Sequence, residues 1–70
     1  MEYTVILHRA EEGGFWVEVP ALPGCFSQGE TVEETLTNTK EAIESHLLAL
    51  RADGQSLPKD EILVFSKIEV

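Results

Sequence analysis

The sequence predicts an α+β fold in the order β-β-β-α-β, a four-stranded mixed sheet with one long helix across one face. Three observations carry this prediction. Two β-branched and aromatic segments, EYTVILHR at residues 2–9 and FWVEV at 15–19, flank a turn ending in Gly13 and Gly14, which is the pattern of an antiparallel hairpin. Apolar residues then recur at spacings of three and four from Val32 to Leu50, the period of an amphipathic helix. A last β-branched segment, residues 61–70, closes the chain.

In the first strand Tyr3, Val5 and Leu7 share one face and Thr4, Ile6 and His8 the other. In the second, Phe15, Val17 and Val19 alternate with Trp16 and Glu18. Both strands thus carry apolar residues on both faces, whereas a strand buried on one side shows cleaner alternation. The secondary face, with Ile6 and Trp16, is expected to be covered by another chain. Pro20 and Pro23 end the second strand because neither can donate to a sheet ladder. Pro23-Gly24 suits a type II turn. Cys25 to Gln28 is expected to form a short third strand, broken by Gly29.

Thr31-Val32-Glu33-Glu34 is a capping box: the Thr31 hydroxyl can accept from the Glu34 amide, and the Glu34 carboxylate can reach back. The helix that follows has Val32, Leu36, Thr39, Ile43, Leu47 and Leu50 as its apolar stripe, with Ala42 and His46 beside it. Arg51 sits at the negative end of the dipole and Gly54 supplies the C-terminal stop. Leu48 lies off the stripe, beside Glu41 and Glu44. In the last segment Ile62, Val64, Ser66, Ile68 and Val70 share a face opposite Leu63 and Phe65. A helix between strands three and four can return the chain to pair parallel with an inner strand, and strand four is expected beside strand one.

The length, 70 residues, argues for one domain, residues 1–70. A chain of this size buries only about 60% of its surface and commonly recovers burial by associating. Thirteen acids against five bases give a net charge of −8, which repels phosphate backbones and disfavours direct nucleic-acid binding. No apolar run approaches the ~20 residues of a membrane span, and no charged-then-apolar leader precedes the first strand. A lone cysteine forms no intramolecular disulfide. These features point to the cytoplasm.

The chain offers little for catalysis. A nucleophilic Cys25 needs a base, and His8 and His46 are the candidates, but neither has a local signature. The same residues match no metal-ligand spacing, so no metal or cofactor is expected. Gly24 and Gly29 before a helix start suggest an anion site, yet no lysine follows and Glu33 and Glu34 occupy the first turn. The predicted order also opens a ribonuclease H-like fold. A two-metal nuclease on that scaffold needs carboxylates bridging ions about 4 Å apart, and neither YTVILHR nor ILVFSKI carries one.

Taken in order, Gly13-Gly14-Phe15, then Val19-Pro20-Ala21-Leu22-Pro23-Gly24-Cys25, then Ser27-Gln28-Gly29-Glu30-Thr31 with Glu33-Glu34, then Glu41-Ala42-Ile43 resemble a HicB-like antitoxin domain. Thr35 stands where that family usually has alanine, on what the stripe makes a helix surface. The resemblance implies a partial ribonuclease H-like fold without nuclease activity. It also implies a function, the binding and blocking of a small basic HicA-type ribonuclease toxin in a type II toxin–antitoxin pair. Charge agrees, since an acidic domain can cover a cationic RNA-binding surface. No DNA-binding module is expected after Val70, which puts operator binding in doubt.

The chain is therefore expected to be a non-catalytic binding protein. The alternatives are an orphan homo-oligomeric binding module and a hydrolase using Cys25 or the histidines. Pro20, Leu22, Pro23, Gly24, Cys25, Gly29, Thr31 and Glu34 form the structural corner. Ile6, Trp16 and Leu48 are the candidate association surface of a homodimer or higher oligomer. Glu11, Glu12 and Glu18 are the candidate contacts to a basic partner.

Overall fold

The structure is a computed structural model that describes residues 1–70. Its elements are β1 (Ile6–Arg9), β2 (Phe15–Glu18), β3 (Phe26–Gly29) and α1 (Val32–Ala52). The three strands form one antiparallel sheet in the order β1-β2-β3. Leu7 pairs with Val17 and His8 with Trp16 across β1 and β2; Val17 pairs with Ser27 and Trp16 with Gln28 across β2 and β3. Directly paired residues share a face. Leu7, Val17 and Ser27 therefore form the helix side, while Ile6, His8, Trp16, Glu18, Phe26 and Gln28 form the other. Helix α1 packs chiefly on β3, less on β2, and leaves β1 uncovered.

The corner between β2 and β3 is two consecutive turns, with Leu22 N–H donating to Val19 O at 2.9 Å and Cys25 N–H to Leu22 O at 3.0 Å. Pro23 and Gly24 are the middle residues of the second, and Gly24 has φ +83°, the left-handed geometry that a type II turn requires at this position. The corner drives Leu22 inward. Val19, Leu22 and Cys25 make the buried cluster, packed against Tyr3, Val5, Ala42, Ile43 and Leu47. Burying a side chain such as Leu22 contributes about 1.5–3 kcal/mol. The third strand begins one residue later than expected, and Gly29 is its last residue rather than its breaker. A Cβ on Gly29 would stand 2.7 Å from both the Thr35 nitrogen and its Oγ1. The missing side chain is what lets the helix start press onto the sheet.

That contact sets the rotation of α1. Thr35 and Thr39 are the buried helix residues, and the sequence reading that put Thr35 on the surface is incorrect. Val32 and Leu36, expected on the buried stripe, are 46% and 44% exposed. The close approach at Gly29 admits only a small side chain, so threonine faces the sheet and the larger residues turn outward. The threonine hydroxyls remain satisfied, donating to Thr31 O at 2.7 Å and Thr35 O at 2.6 Å. Thr31 is the N-cap and accepts from Glu34 N–H at 3.1 Å. Only this half of the capping box forms, since the Glu34 carboxylate makes no return bond.

The largest correction concerns residues 61–70. They form no fourth strand, so the mixed four-stranded sheet and the ribonuclease H-like arrangement are both absent. The segment before them is tied down. The Tyr3 hydroxyl donates to Pro58 O, and Thr4 donates from its backbone N–H and its hydroxyl to Asp60 Oδ2, each at 2.6 Å. Beyond Asp60 every residue is exposed, and none takes part in a backbone–backbone hydrogen bond. Strand-forming residues make a strand only where an edge accepts them, and this segment leaves the outer edge of its own β1 without a partner. The radius of gyration, 13.3 Å, exceeds the roughly 11 Å of a compact chain of this length because the segment projects as an arm.

Candidate interaction surface

The corner residues do not build a nucleophilic site. Cys25 is buried and free, and burial pushes its thiol above the ordinary value of 9.0, which favours the unreactive thiol over the thiolate. No histidine bonds to it: the His8 ring engages Glu18 and Trp16 on the opposite face of the sheet. No three His, Cys, Asp or Glu side chains lie close enough to hold a metal ion.

On the helix-free face, hairpin register brings three side chains together. His8 stacks on Trp16 with ring centroids 4.0 Å apart and planes 14° from parallel. Its Nε2 lies 2.9 Å from Glu18 Oε1. The first is a directly opposed cross-strand pair and the second a diagonal one. A half-exposed contact of this kind contributes only about 0–1 kcal/mol; its consequence is to hold the His8 ring over the indole. Glu18 is thereby occupied within the chain. Glu11 and Glu12 stand exposed at the β1–β2 turn.

Ile6 and Trp16 lie on the helix-free face of the sheet, whereas Leu48 projects from α1 into solvent. With the sheet between them, the three do not form one patch. Trp16 instead belongs to two adjoining grooves beside β3. One, about 700 Å³, runs between Phe26, Ser27 and Gln28 of β3 and Asn38, Glu41 and Ser45 of α1. The other, about 450 Å³, continues past Gln28 and Asn38 to Phe15, Glu12, Glu30 and Glu34. The Asn38 amide donates to Gln28 O at 2.8 Å and fixes the floor they share. Trp16 and Phe26 are exposed aromatics within a rim of four carboxylates, Glu12, Glu30, Glu34 and Glu41, and no lysine or arginine lines either groove.

Of the three acids singled out from sequence, only Glu12 belongs to this rim. Glu30, Glu34 and Glu41 were missed as partner contacts. The available signal was position: Glu30 directly follows β3, and Glu34 and Glu41 lie seven residues apart, two turns along one helix face.

Fold and site together define a two-layer β-β-β-α domain whose distinctive feature is an open aromatic groove with an acidic rim. The chain belongs to the HicB-like antitoxin family: residues 3–67 match the family described as HicB-like antitoxin of bacterial toxin–antitoxin system. It is 48% identical over 60 residues to UPF0150 protein Ta0767 of Thermoplasma acidophilum, covering 86% of this chain and 87% of that protein. Its fold is similar to the Burkholderia pseudomallei antitoxin HicB, with a TM-score of 0.72 and 36% identity over 80% of this chain. It also resembles a chain in the HicA3 and HicB3 toxin–antitoxin complex, with a TM-score of 0.68 and 34% identity over 80% of this chain. The chain spans 42% and 64% of the lengths of those two solved chains.

Proposed function

We propose that this chain is the antitoxin of a type II toxin–antitoxin pair, acting in the cytoplasm without catalysis and without contacting nucleic acid itself. Its partner is a small basic ribonuclease toxin of the HicA type, which it binds through the Trp16–Phe26 grooves. The carrying observation is the groove itself: two exposed aromatics ringed by four carboxylates, with no opposing cation. Aromatic anchors with a charged rim are what a protein interface needs, because the aromatics supply most of the binding energy and the charges supply partner choice and association rate. Family membership and the likeness to a HicA3–HicB3 complex support the choice of partner. Neutralisation then follows from occupancy. An acidic domain seated on a cationic surface displaces RNA and leaves a repulsive face where phosphate would bind.

The test is co-expression with a small basic toxin of the HicA type, sought in the reading frame beside this one. Rescue of growth and a complex on gel filtration are expected. Trp16→Ala together with Glu30→Gln and Glu34→Gln should weaken binding by about a hundredfold or more, since aromatic anchors and rim charges act together. Absence of any complex overturns the proposal, and a complex indifferent to these substitutions removes the groove from it.

A further inference from the structure

We infer that the arm, residues 61–70, is exchanged between two copies of this chain, each arm seating on the β1 edge of the other copy. This inference does not depend on the toxin.

The arm is built for burial that the single chain does not provide. Leu63, Phe65 and Ile68 are 95%, 63% and 85% exposed, and Val64 and Val70 are at least as exposed as Phe65. These five residues present on the order of 800 Å², about the share that one partner contributes to a standard-size interface. Apolar residues lie on both sides of an extended arm: Val64, Ile68 and Val70 on one, Leu63 and Phe65 on the other. A segment added to a sheet edge turns alternate side chains to the two faces of the sheet, whereas a segment lying on a surface needs only one apolar side. The arm's backbone also lacks a partner, since from Leu63 onward it makes no backbone–backbone hydrogen bond.

The matching vacancy is β1. The sheet has two edges, and they differ. β3 is covered by α1, with Gly29 against Thr35 and the Gln28 carbonyl taken by Asn38. β1 has no helix against it and pairs only with β2. The chain thus carries an unpaired apolar segment and an uncovered sheet edge, joined by a rigid root where Asp60 grips Thr4. Two copies related by a two-fold axis satisfy both at once, and the reciprocal exchange closes at the dimer. A second copy suits the arm better than the basic toxin does. The arm carries two acids and one base, so it offers a cationic partner little of the charge concentrated around the grooves.

The experiment is done on the full chain. Sedimentation equilibrium at micromolar concentration should give twice the 7.8 kDa chain mass. A mixture of isotope-labelled and unlabelled chains, unfolded together and refolded, should show intermolecular NOEs from Leu63 and Phe65 to Ile6 and Leu7. The double variant Leu63→Asp, Phe65→Asp should sediment as a monomer while keeping its helical circular dichroism. If the variant does not fold, the NOEs on the unaltered chain decide. A monomer throughout the concentration range overturns the inference. So do a dimer unchanged by the double variant, arm NOEs confined to one chain, and an arm that is protected only after a HicA-type toxin is added.

Discussion

Phe15–Glu18 and Glu61–Phe65 are both short, β-branched, aromatic segments, and they end in opposite conditions. In the first, Val17 is fully buried between two neighbouring strands and a helix. In the second, Leu63 and Val64 stand in solvent with no backbone partner. The difference lies in what each segment finds within reach. Val17 is delivered to its neighbours by a tight hairpin on one side and a two-turn corner on the other. Glu61–Phe65 is delivered past the edge of β1, held at Asp60, and released. Strand propensity is a property of a residue on a pleated, half-buried surface, and it does not state which molecule supplies that surface.

The sharpest way to break this comparison is to cut into both regions. Leu22→Ala should cost about 2–5 kcal/mol, as large-to-small core changes do, and the loss should be the same at every protein concentration. Leu63→Ala should cost less than about 0.5 kcal/mol in dilute solution, as for an exposed position, with a larger effect only where copies associate. Urea denaturation at two protein concentrations separates the two. An equal, concentration-independent loss at both sites would mean that the arm packs on its own chain.

The close approach at Gly29 predicts the next largest effect. Gly29→Ala places a methyl 2.7 Å from Thr35 backbone and hydroxyl atoms, and overpacking of this kind costs about 1–3 kcal/mol. The expected sign is opposite to the usual gain from removing a flexible glycine. A thermal melt of the variant checks it, and a rise in midpoint would show that the helix start can move away freely.

Gly29 also marks where the sequence was readable and where it was not. The hairpin, the corner and the long helix were legible because each has a local signal: paired glycines, Pro23-Gly24, and Thr31 before a 3.6-residue period. The phase of the helix was not. Val32 and Leu36 fit the apolar stripe as well as Thr35 fits none, and only a contact between residues six apart in sequence but in different elements decides which faces the sheet. The arm was misread for the same reason at longer range, since Ile62, Val64 and Ile68 look like a fourth strand beside the first until the edge they would join is seen unoccupied. The grooves were half legible. Trp16 stood out as an apolar residue on the wrong face, whereas Glu30 gained its meaning from lying beside Glu12 and Glu34 across three separate elements.

A smaller effect separates local from tertiary stabilisation. Thr31→Ala removes the hydroxyl that caps the Glu34 amide, a loss of about 1 kcal/mol. Glu34→Ala should cost less than that, because its carboxylate makes no return bond to the cap. Comparable losses at the two positions, measured by denaturation, would show that the full capping box forms in solution.

The smallest and most local prediction concerns the root of the arm, where body and arm meet. The Thr4 hydroxyl donates to Asp60 Oδ2, and this bond, with the backbone N–H groups of Ile62 and Thr4, outweighs the opposing desolvation and lowers the Asp60 pKa from its ordinary 3.8. A carboxylate whose folded pKa is depressed stabilises the fold fully above its unfolded value. Its contribution is lost as pH falls below 3.8 and through the lower folded value, and neutral pH leaves it untouched. The amide proton shifts of Thr4 and Ile62 should therefore titrate together below pH 3.8, while that of Val17 stays fixed over the same steps. Asp60→Asn should abolish the paired titration and free residues 58–60 from Tyr3 and Thr4, leaving the Leu22 cluster in place. A Thr4 shift that titrates at or above the ordinary carboxylate value would mean that the root is open in solution, and that the arm departs from the body before Asp60.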